Sequence, residues 1–516
     1  MKKLFILFII VTGAVTEFTA QNIATPIDVK ISETFKDSKK MTTLAFSVED
    51  RKGGVIIGRN YNKGCYIEHY NEQLKLVEEY EMQMDNKRSR ILDAFTKDSK
   101  LMLVEYLQNA DAEELQYVMH KTDMDKFAFE SSVLFSIPFS EYKKNILEDI
   151  WSKSIFGMGK EDQDASGEMS VSRNRNYIAF YQDIKDNGKE SHSIYVFDKD
   201  LKKIYEHSFS SDIPDRKFTI QNVDISDEDG TVYLLGKTSP KEAKSKEDGG
   251  KYFYELFKID ASGKKSLQFD SDDKFAASLT TVIGQNKIIC AGFYSDRKDT
   301  RYKGVVHFSI NPDDLSIQSS KYSPFSDQFI IDKYGKDKDK ELRNIVFRNS
   351  HIDADNNLIL AGEEHFVRFV NGGQMGNSYI NYFFMDIIAV KLDPDGDLIW
   401  SRNINKGQTA LVLDPAASYS STYKDGKLLF FINGNDKVKK MSKDRIGFPD
   451  ARNKNMNMFA IEIDKNGDFN YQIIVPEDDA DVAFGVSEGI FLNNGEQIIF
   501  QGRLKRKKQI AKLTLK

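Results

Sequence analysis

The chain has 516 residues, of which 40% are hydrophobic and 12% aromatic, and a formal charge of −6 that by itself favours no class of partner. With 36 Phe and 23 Tyr but only 10 Pro and 2 Cys, it can bury a large sheet-forming core and cannot rely on a disulfide framework. No P-loop, dinucleotide-binding glycine motif or G-x-S-x-G elbow is present, and no cofactor is expected.

The chain opens with Lys2-Lys3, the apolar run Leu4 to Val15 and the end Thr16 to Ala20. These are the three regions of a secretory signal peptide, expected over residues 1–20. Phe18 stands where a small residue is preferred, so export is better defined than the cut after Ala20. Removal of Lys2, Lys3 and Glu17 with that segment moves the formal charge from −6 to −7. No later run approaches the roughly 18 apolar residues that a spanning helix needs. The mature chain is expected to lack a transmembrane segment and to reside in the periplasm, at the cell surface or outside the cell. Nucleic acid is not an expected partner for an exported chain of negative charge.

From about residue 42 onward one pattern recurs. An extended run leads into a tight turn rich in Gly, Asn and Asp, as at Asp227-Glu-Asp-Gly230 and Lys424-Asp-Gly426. A second apolar run follows, often ending in glycine, as in Val55-Ile-Ile-Gly58, Val232-Tyr-Leu-Leu-Gly236 and Leu358-Ile-Leu-Ala-Gly362. After a variable loop comes a hairpin whose turn starts at an Asp or Asn: Asn71, Asp123, Asp198, Asp260, Asn311, Asp393 and Asp464. Each unit is thus four antiparallel strands, a to d, the signature of a propeller blade. Units start near Thr42, Ile91, Met169, Phe218, Phe275, Arg343, Leu411 and Val482.

The fold class expected is therefore all-β, an eight-bladed β-propeller over residues 21–516, with a seven-bladed ring as the alternative. The last unit ends at Leu515-Lys516, one strand short. The run from Ile27 to Phe35 alternates Ile27, Val29, Ile31 against Asp28, Lys30, Ser32, and is expected to supply the missing strand and close the ring. One helical insertion is expected, over Ser140 to Lys153, where Tyr142, Ile146 and Ile150 recur at i, i+4 and i+8; its Trp151 is read as covering core.

The short hairpins Asp393-Pro-Asp-Gly396 and Asp464-Lys-Asn-Gly467 give the chain a resemblance to the repeat β-propeller proteins secreted by Bacteroidetes-type bacteria. The resemblance covers nearly the whole mature chain. It implies the fold, an exported location and commonly a binding role, and it transfers no catalytic residue.

Candidate chemistry is sparse. Asp393, Asp395 and Asp397 alternate as calcium ligands do, but the sixth and twelfth positions of an EF-hand loop would be Leu398 and Ile404, so local turn capping is the reading preferred. The stretch Ser226 to Tyr233 partly matches a sialidase-type box, with Glu228, Val232 and Tyr233 as departures. The seven His show no metal spacing, although His69, His120 and His307 fall in strand c of three blades.

The b–c connections 237–251, 294–303, 363–382 and 433–456 swell while the a–b and c–d turns stay tight, so variation gathers on one face. Two loops there are basic: Lys437, Lys439, Lys440, Lys443 and Arg445, and then Arg503, Lys505, Arg506, Lys507 and Lys508. They are the expected binding residues, for an acidic glycan, lipopolysaccharide or an acidic protein surface. A glycan-active enzyme with carboxylates in a propeller funnel is the alternative function.

Overall fold

The computed structural model describes residues 23–516, apart from 37–38, 40–41, 85–88, 142–167, 187–188, 211–217, 239–251, 270–273, 285, 297–300, 337–341, 371–378, 412–413 and 452–455. The expected signal peptide and, from residue 142 onward, the helix expected over 140–153 with Trp151 lie outside the described residues; Ser140 and Glu141 form a turn.

Blade one consists of Thr43–Glu49, Val55–Tyr61, Gly64–Tyr70 and Leu76–Gln83, paired in that order. The same a-b-c-d order repeats over 90–138, 168–210, 218–269, 274–324, 345–410, 420–475 and 490–515. Eight apolar clusters join successive blades, the last packing Val55 and Ile57 of blade one on Ile499 and Ile510 of blade eight. An eight-bladed β-propeller is thereby closed on itself. Strands a touch between blades one and two, three and four, four and five, five and six, and eight and one, which sets them around the axis.

Closure is by the N-terminal strand. Ile27–Ile31 runs antiparallel to Lys507–Leu515, with Ile27 opposite Leu515 and Ile31 opposite Ala511. Ser32 N–H donates to Ile510 O at 2.9 Å and Lys516 N–H to Pro26 O at 3.0 Å. Ile27, Val29 and Ile31 pack on the cluster of Phe500, Ala511 and Leu513, whereas Asp28 and Lys30 are exposed, as the alternation dictates.

The recurrent glycine of strand b has a packing cause. A Cβ at Gly58 would run into the Phe46 ring, one at Gly236 into Phe218, and one at Gly502 into Val482. At Gly58 and Gly236 glycine lets an aromatic ring of the inner strand, Phe46 or Phe218, cross over strand b and reach the space between blades.

The Asp and Asn turns are capped as expected. Asp393 Oδ1 accepts from the N–H groups of Asp395 and Asp397 at 3.0 and 2.8 Å, and Asp464 does the same for Asn466 and Asp468 at 2.8 and 2.9 Å. That carboxylate oxygen is occupied by its own backbone, which is the turn-building role.

Three local expectations change. The inner strands of blades seven and eight are Ser420–Lys424 and Ile490–Leu492, later than Leu411 and Val482; the described residues between form turns, bends and a 3-10 segment, and Phe484 reaches Gly502 only through an isolated bridge. A helix not expected from the sequence, Asp327–Tyr334, stands in the d–a connection between blades five and six. Ser326 caps its N-terminus by accepting from Phe329 N–H, and Gly335, at φ 69°, ends it. Finally, the 363–382 connection is largely strand: Leu358–Val370, Tyr379–Leu392 and Leu398–Ala410 extend blade six beyond its neighbours. No helix among the described residues is long and apolar enough to cross a membrane.

Candidate functional site: a cleft on the short-turn face

Antiparallel order puts the a–b and c–d turns at one end of the ring and the b–c and d–a connections at the other. A cleft of about 990 Å³ opens at the short-turn end, lined by blades three to six. Blade three supplies Arg173, blade four Asp224, Ser226 to Asp229, Tyr233 and Lys258, blade five Thr281 to Gly284, Asn286, Lys287 and Asn311 to Asp313, and blade six Ser350, Ile352, Asp353 and Asn356. The turns at 226–231, 284–287 and 353–357 end inner strands, and Asn311 to Asp313 reaches the cleft from the outer c–d turn of blade five.

Most of the charge is already employed. Asp353 accepts from the N–H of Asp355 and of Asn357 and pairs with Lys391 at 2.9 Å. Asp227 accepts from Asn174 N–H at 2.8 Å, tying blade four to blade three. Asp229 lies below the usual carboxylate range, because burial, which would raise it, is outweighed by donors from Thr231 at 3.0 and 2.8 Å. Lys258 and Lys287 donate to the turn carbonyls of Pro312 and Pro394, at 2.7 and 2.8 Å.

What remains open is a smaller set. Arg173, Glu228 and Asp313 are exposed, and their side chains make no hydrogen bond or ion pair among the described residues. Asp224 stands on the inner strand Phe218–Ile225. Its Oδ2 accepts from Asn222 Nδ2 at 2.6 Å, and Asn222 is fixed in turn by accepting from Thr281 N–H of blade five at 3.1 Å. Burial pushes the Asp224 carboxyl up to about 7, the Asn222 bond offsetting only part of the effect.

The ten cations expected to bind lie at the opposite end and meet different fates. The Lys437 to Arg445 loop leaves blade seven, but Ile446–Pro449 pairs in parallel with Asn405 to Gly407 on the outer edge of blade six. Lys439–Lys440 forms the last strand of that six-stranded sheet, exposed along with Lys437 and Lys443. Arg445 is not a ligand-facing group: its Nε donates to Asp332 O at 2.7 Å and its guanidinium to Lys333 O at 2.5 Å, capping the helix C-terminus.

The second run leans the other way, onto blade one. Arg503 donates to Thr42 O and Oγ1 at 3.3 and 2.9 Å. Lys508 is buried in an ion pair with Glu68, between the rings of Tyr66 and Tyr70. Lys507 lies 3.9 Å from Asp481; Lys505, Arg506 and Lys507 are exposed. The two basic runs thus attach to different neighbours, one to the edge of blade six and the other to blade one.

Two of the strand-c histidines are bonded within their own blades, whereas the buried Nδ1 of His307 has no hydrogen-bond partner among the described residues and lies against Gly396 of blade six. His69 contacts Asp50 at 2.9 Å, and His120 contacts Glu105 at 2.8 Å and Ser131 at 2.7 Å. No group of three or more metal-type ligands occurs among the described residues.

No protein-family model matches the chain, and no curated protein matches it. Among solved structures it is similar to an acylaminoacyl peptidase from Pyrococcus horikoshii, with TM-score 0.35 and 10% identity over 82% of this chain and 50% of that one. An uncharacterised protein of Listeria monocytogenes EGD-e gives 0.37 and 9% over 80% and 88%. The β-propeller domain of the Trilobed protease from Pyrococcus furiosus gives 0.34 and 9% over 86% and 98%. The chain spans about half the length of the acylaminoacyl peptidase, and these similarities transfer neither a residue nor an activity.

Proposed function

We propose that the chain is an exported interaction propeller that holds its ligand in the short-turn cleft. The observation that carries this reading is the convergence of open polar groups from blades three, four and five, Arg173, Asp224, Glu228 and Asp313, on one cavity of about 990 Å³. That volume suits a small ligand or the end of a chain. Export rests on the Lys2-Lys3 and Leu4 to Val15 pattern.

A second reading keeps an acidic glycan or lipopolysaccharide as partner, now on Lys437, Lys439, Lys440 and Lys443 alone. It is favoured by the exposure of all four on one loop at the edge of blade six. Glycan hydrolysis would require two carboxyls across the scissile bond, for which Asp224 and an open cleft carboxylate are the residues available.

The test is a thermal-shift screen of the mature protein against ammonium, carboxylate, phosphate and neutral sugar probes, with hydrogen exchange to locate each hit. Protection over 224–231, 281–288 and 311–313 supports the cleft. Protection confined to 437–445 favours the second reading, and turnover of an oligosaccharide probe favours hydrolysis.

A further inference from the structure

Resting on the second reading for its anionic partner, we infer that the outer corner of blade six docks on an anionic lipid surface, an apolar hairpin entering the bilayer and lysines behind it meeting the headgroups. Twelve large hydrophobic side chains are exposed among the described residues. Eight of them are spread over seven blades, as on an ordinary surface. The other four, Val367, Phe369, Tyr379 and Leu411, gather at the long-loop end of blade six, 46% to 65% exposed.

Strand register fixes how these residues stand. Tyr382 pairs with Val367 on one side and Ala410 on the other, and Ile380 pairs with Phe369 two residues farther from the ring. The base of the hairpin is anchored, because Tyr382 and Phe384 are buried beside Ala417. Beyond that base, Val367 and Phe369 leave one face of the hairpin open. On the opposite face Arg368 lies over the rings of Phe366 and Phe383, 5.2 Å from each, and makes no ion pair among the described residues.

The cations are set back from this tip. Gly447 pairs with Lys439 on one side and on the other with Asn405, five residues before Ala410, so Lys439 stands about 17 Å behind the Tyr382 row at a strand's rise per residue. Lys437, Lys439 and Lys443 are exposed and make no ion pair among the described residues. Asp436 and Asp444 of the same loop offset part of that charge, whereas the acids nearer the hairpin are engaged, Glu364 and Asp386 by Lys333 and Asp450 by Thr409 N–H. A bilayer has the matching profile. An apolar segment sinks about 5–10 Å beneath headgroups that form a layer about 6 Å thick, and the long stem of a lysine reaches them from behind. Tyr379 and Leu411 stand between, at the depth where aromatic and apolar groups meet the interface. A polysaccharide would leave Val367 and Phe369 unmatched. A second copy of the chain meeting this patch about a twofold axis would set lysines against lysines.

The test is co-sedimentation of the mature protein with vesicles of phosphatidylglycerol and phosphatidylcholine, compared with phosphatidylcholine alone, at low and high salt. Binding to the anionic vesicles is expected, at least about tenfold tighter than to neutral ones and weakened by salt. Val367→Ser/Phe369→Ser and Lys437→Glu/Lys439→Glu, both confined to exposed side chains, should each weaken it at least about tenfold with the melting temperature unchanged. Phe369→Trp should keep binding and shift its emission to the blue when vesicles are added. Absence of vesicle binding, binding that survives the Val367 and Phe369 changes, or an unshifted Trp emission overturns the inference. Self-association that those two changes abolish would also overturn it, because the hairpin would then join copies of the chain. Retention on alginate without vesicle binding overturns it while leaving the second reading intact; retention on neither ends both.

Discussion

Glu363 and Lys406 face each other at 2.6 Å inside blade six with neither side chain reaching water. Lys406 also donates to Phe384 O and Gln408, and Glu363 accepts from Ser418 and Arg348. Around this pair, Lys333 of the helix bridges Glu364 and Asp386, and Arg402 holds Asp332. The network fastens the helix and the extended strands of blade six to the ring. Burial lowers the Lys406 amine and Glu363 opposes the shift, so removing Glu363 leaves a charge with too little compensation. Glu363→Gln should therefore cost about 3–5 kcal/mol in urea unfolding, and adding Lys406→Met should recover part of it.

The repeated glycine of strand b makes a prediction of a different kind. Gly236→Ala places a methyl against the Phe218 ring and should destabilise by about 1–3 kcal/mol through overpacking. Phe218→Leu in the same chain should reduce that penalty. Equal penalties with and without Phe218→Leu would mean that backbone conformation, not the ring, demands glycine.

Acid and base should act through different residues. Burial holds His307 and His351 at about 4, so as pH falls below their ordinary 6.5 the unfolded chain takes up protons first and stability declines down to about 4. Asp224 has the opposite sign: raised to about 7, it supports the fold most below its unfolded value of 3.8, and that support is lost as pH rises through 7. Asp224→Asn should then stabilise by about 1–2 kcal/mol at pH 8 and by little at pH 4, measured by urea unfolding at both. A gain of equal size at both pH values would show that the carboxyl is not perturbed.

Cys65 and Cys290 are free and buried, in blades one and five, and burial pushes both thiols up to about 12. Neither should react with a maleimide in the native protein, and both should react once it is unfolded in urea. Mass spectrometry finding a bridge between them would contradict the blade assignment.

The architecture was legible because it repeats. Asp393 and Asp464 announce hairpins through chemistry confined to four residues, and the Ile27, Val29, Ile31 alternation announces an edge strand. Even the missed helix carried its signals, with Ser326 and Gly335 at its two ends. The cleft was not legible in the same way. Arg173, Asp224, Glu228 and Asp313 belong to three blades, and only the closing of the ring brings them together. Loop length drew attention to the other face, and the parallel pairing of Ile446–Pro449 with blade six, which separates the two basic runs, leaves no periodic trace in the chain.

The closed eight-bladed ring underlies every placement above, and its seam can be measured directly. Asp28 and Thr514 are register partners across it, and paired strands hold Cα atoms about 4.5–5.5 Å apart, within the range a disulfide spans. The oxidised Asp28→Cys/Thr514→Cys variant should show a 28–514 bridge by peptide mapping and gain about 2–4 kcal/mol over its reduced form. Asp28→Cys/Leu513→Cys, whose side chains leave the sheet on opposite faces, should stay reduced. A 28–514 pair that remains reduced, or a 28–513 bridge in its place, would contradict closure by the N-terminal strand in this register.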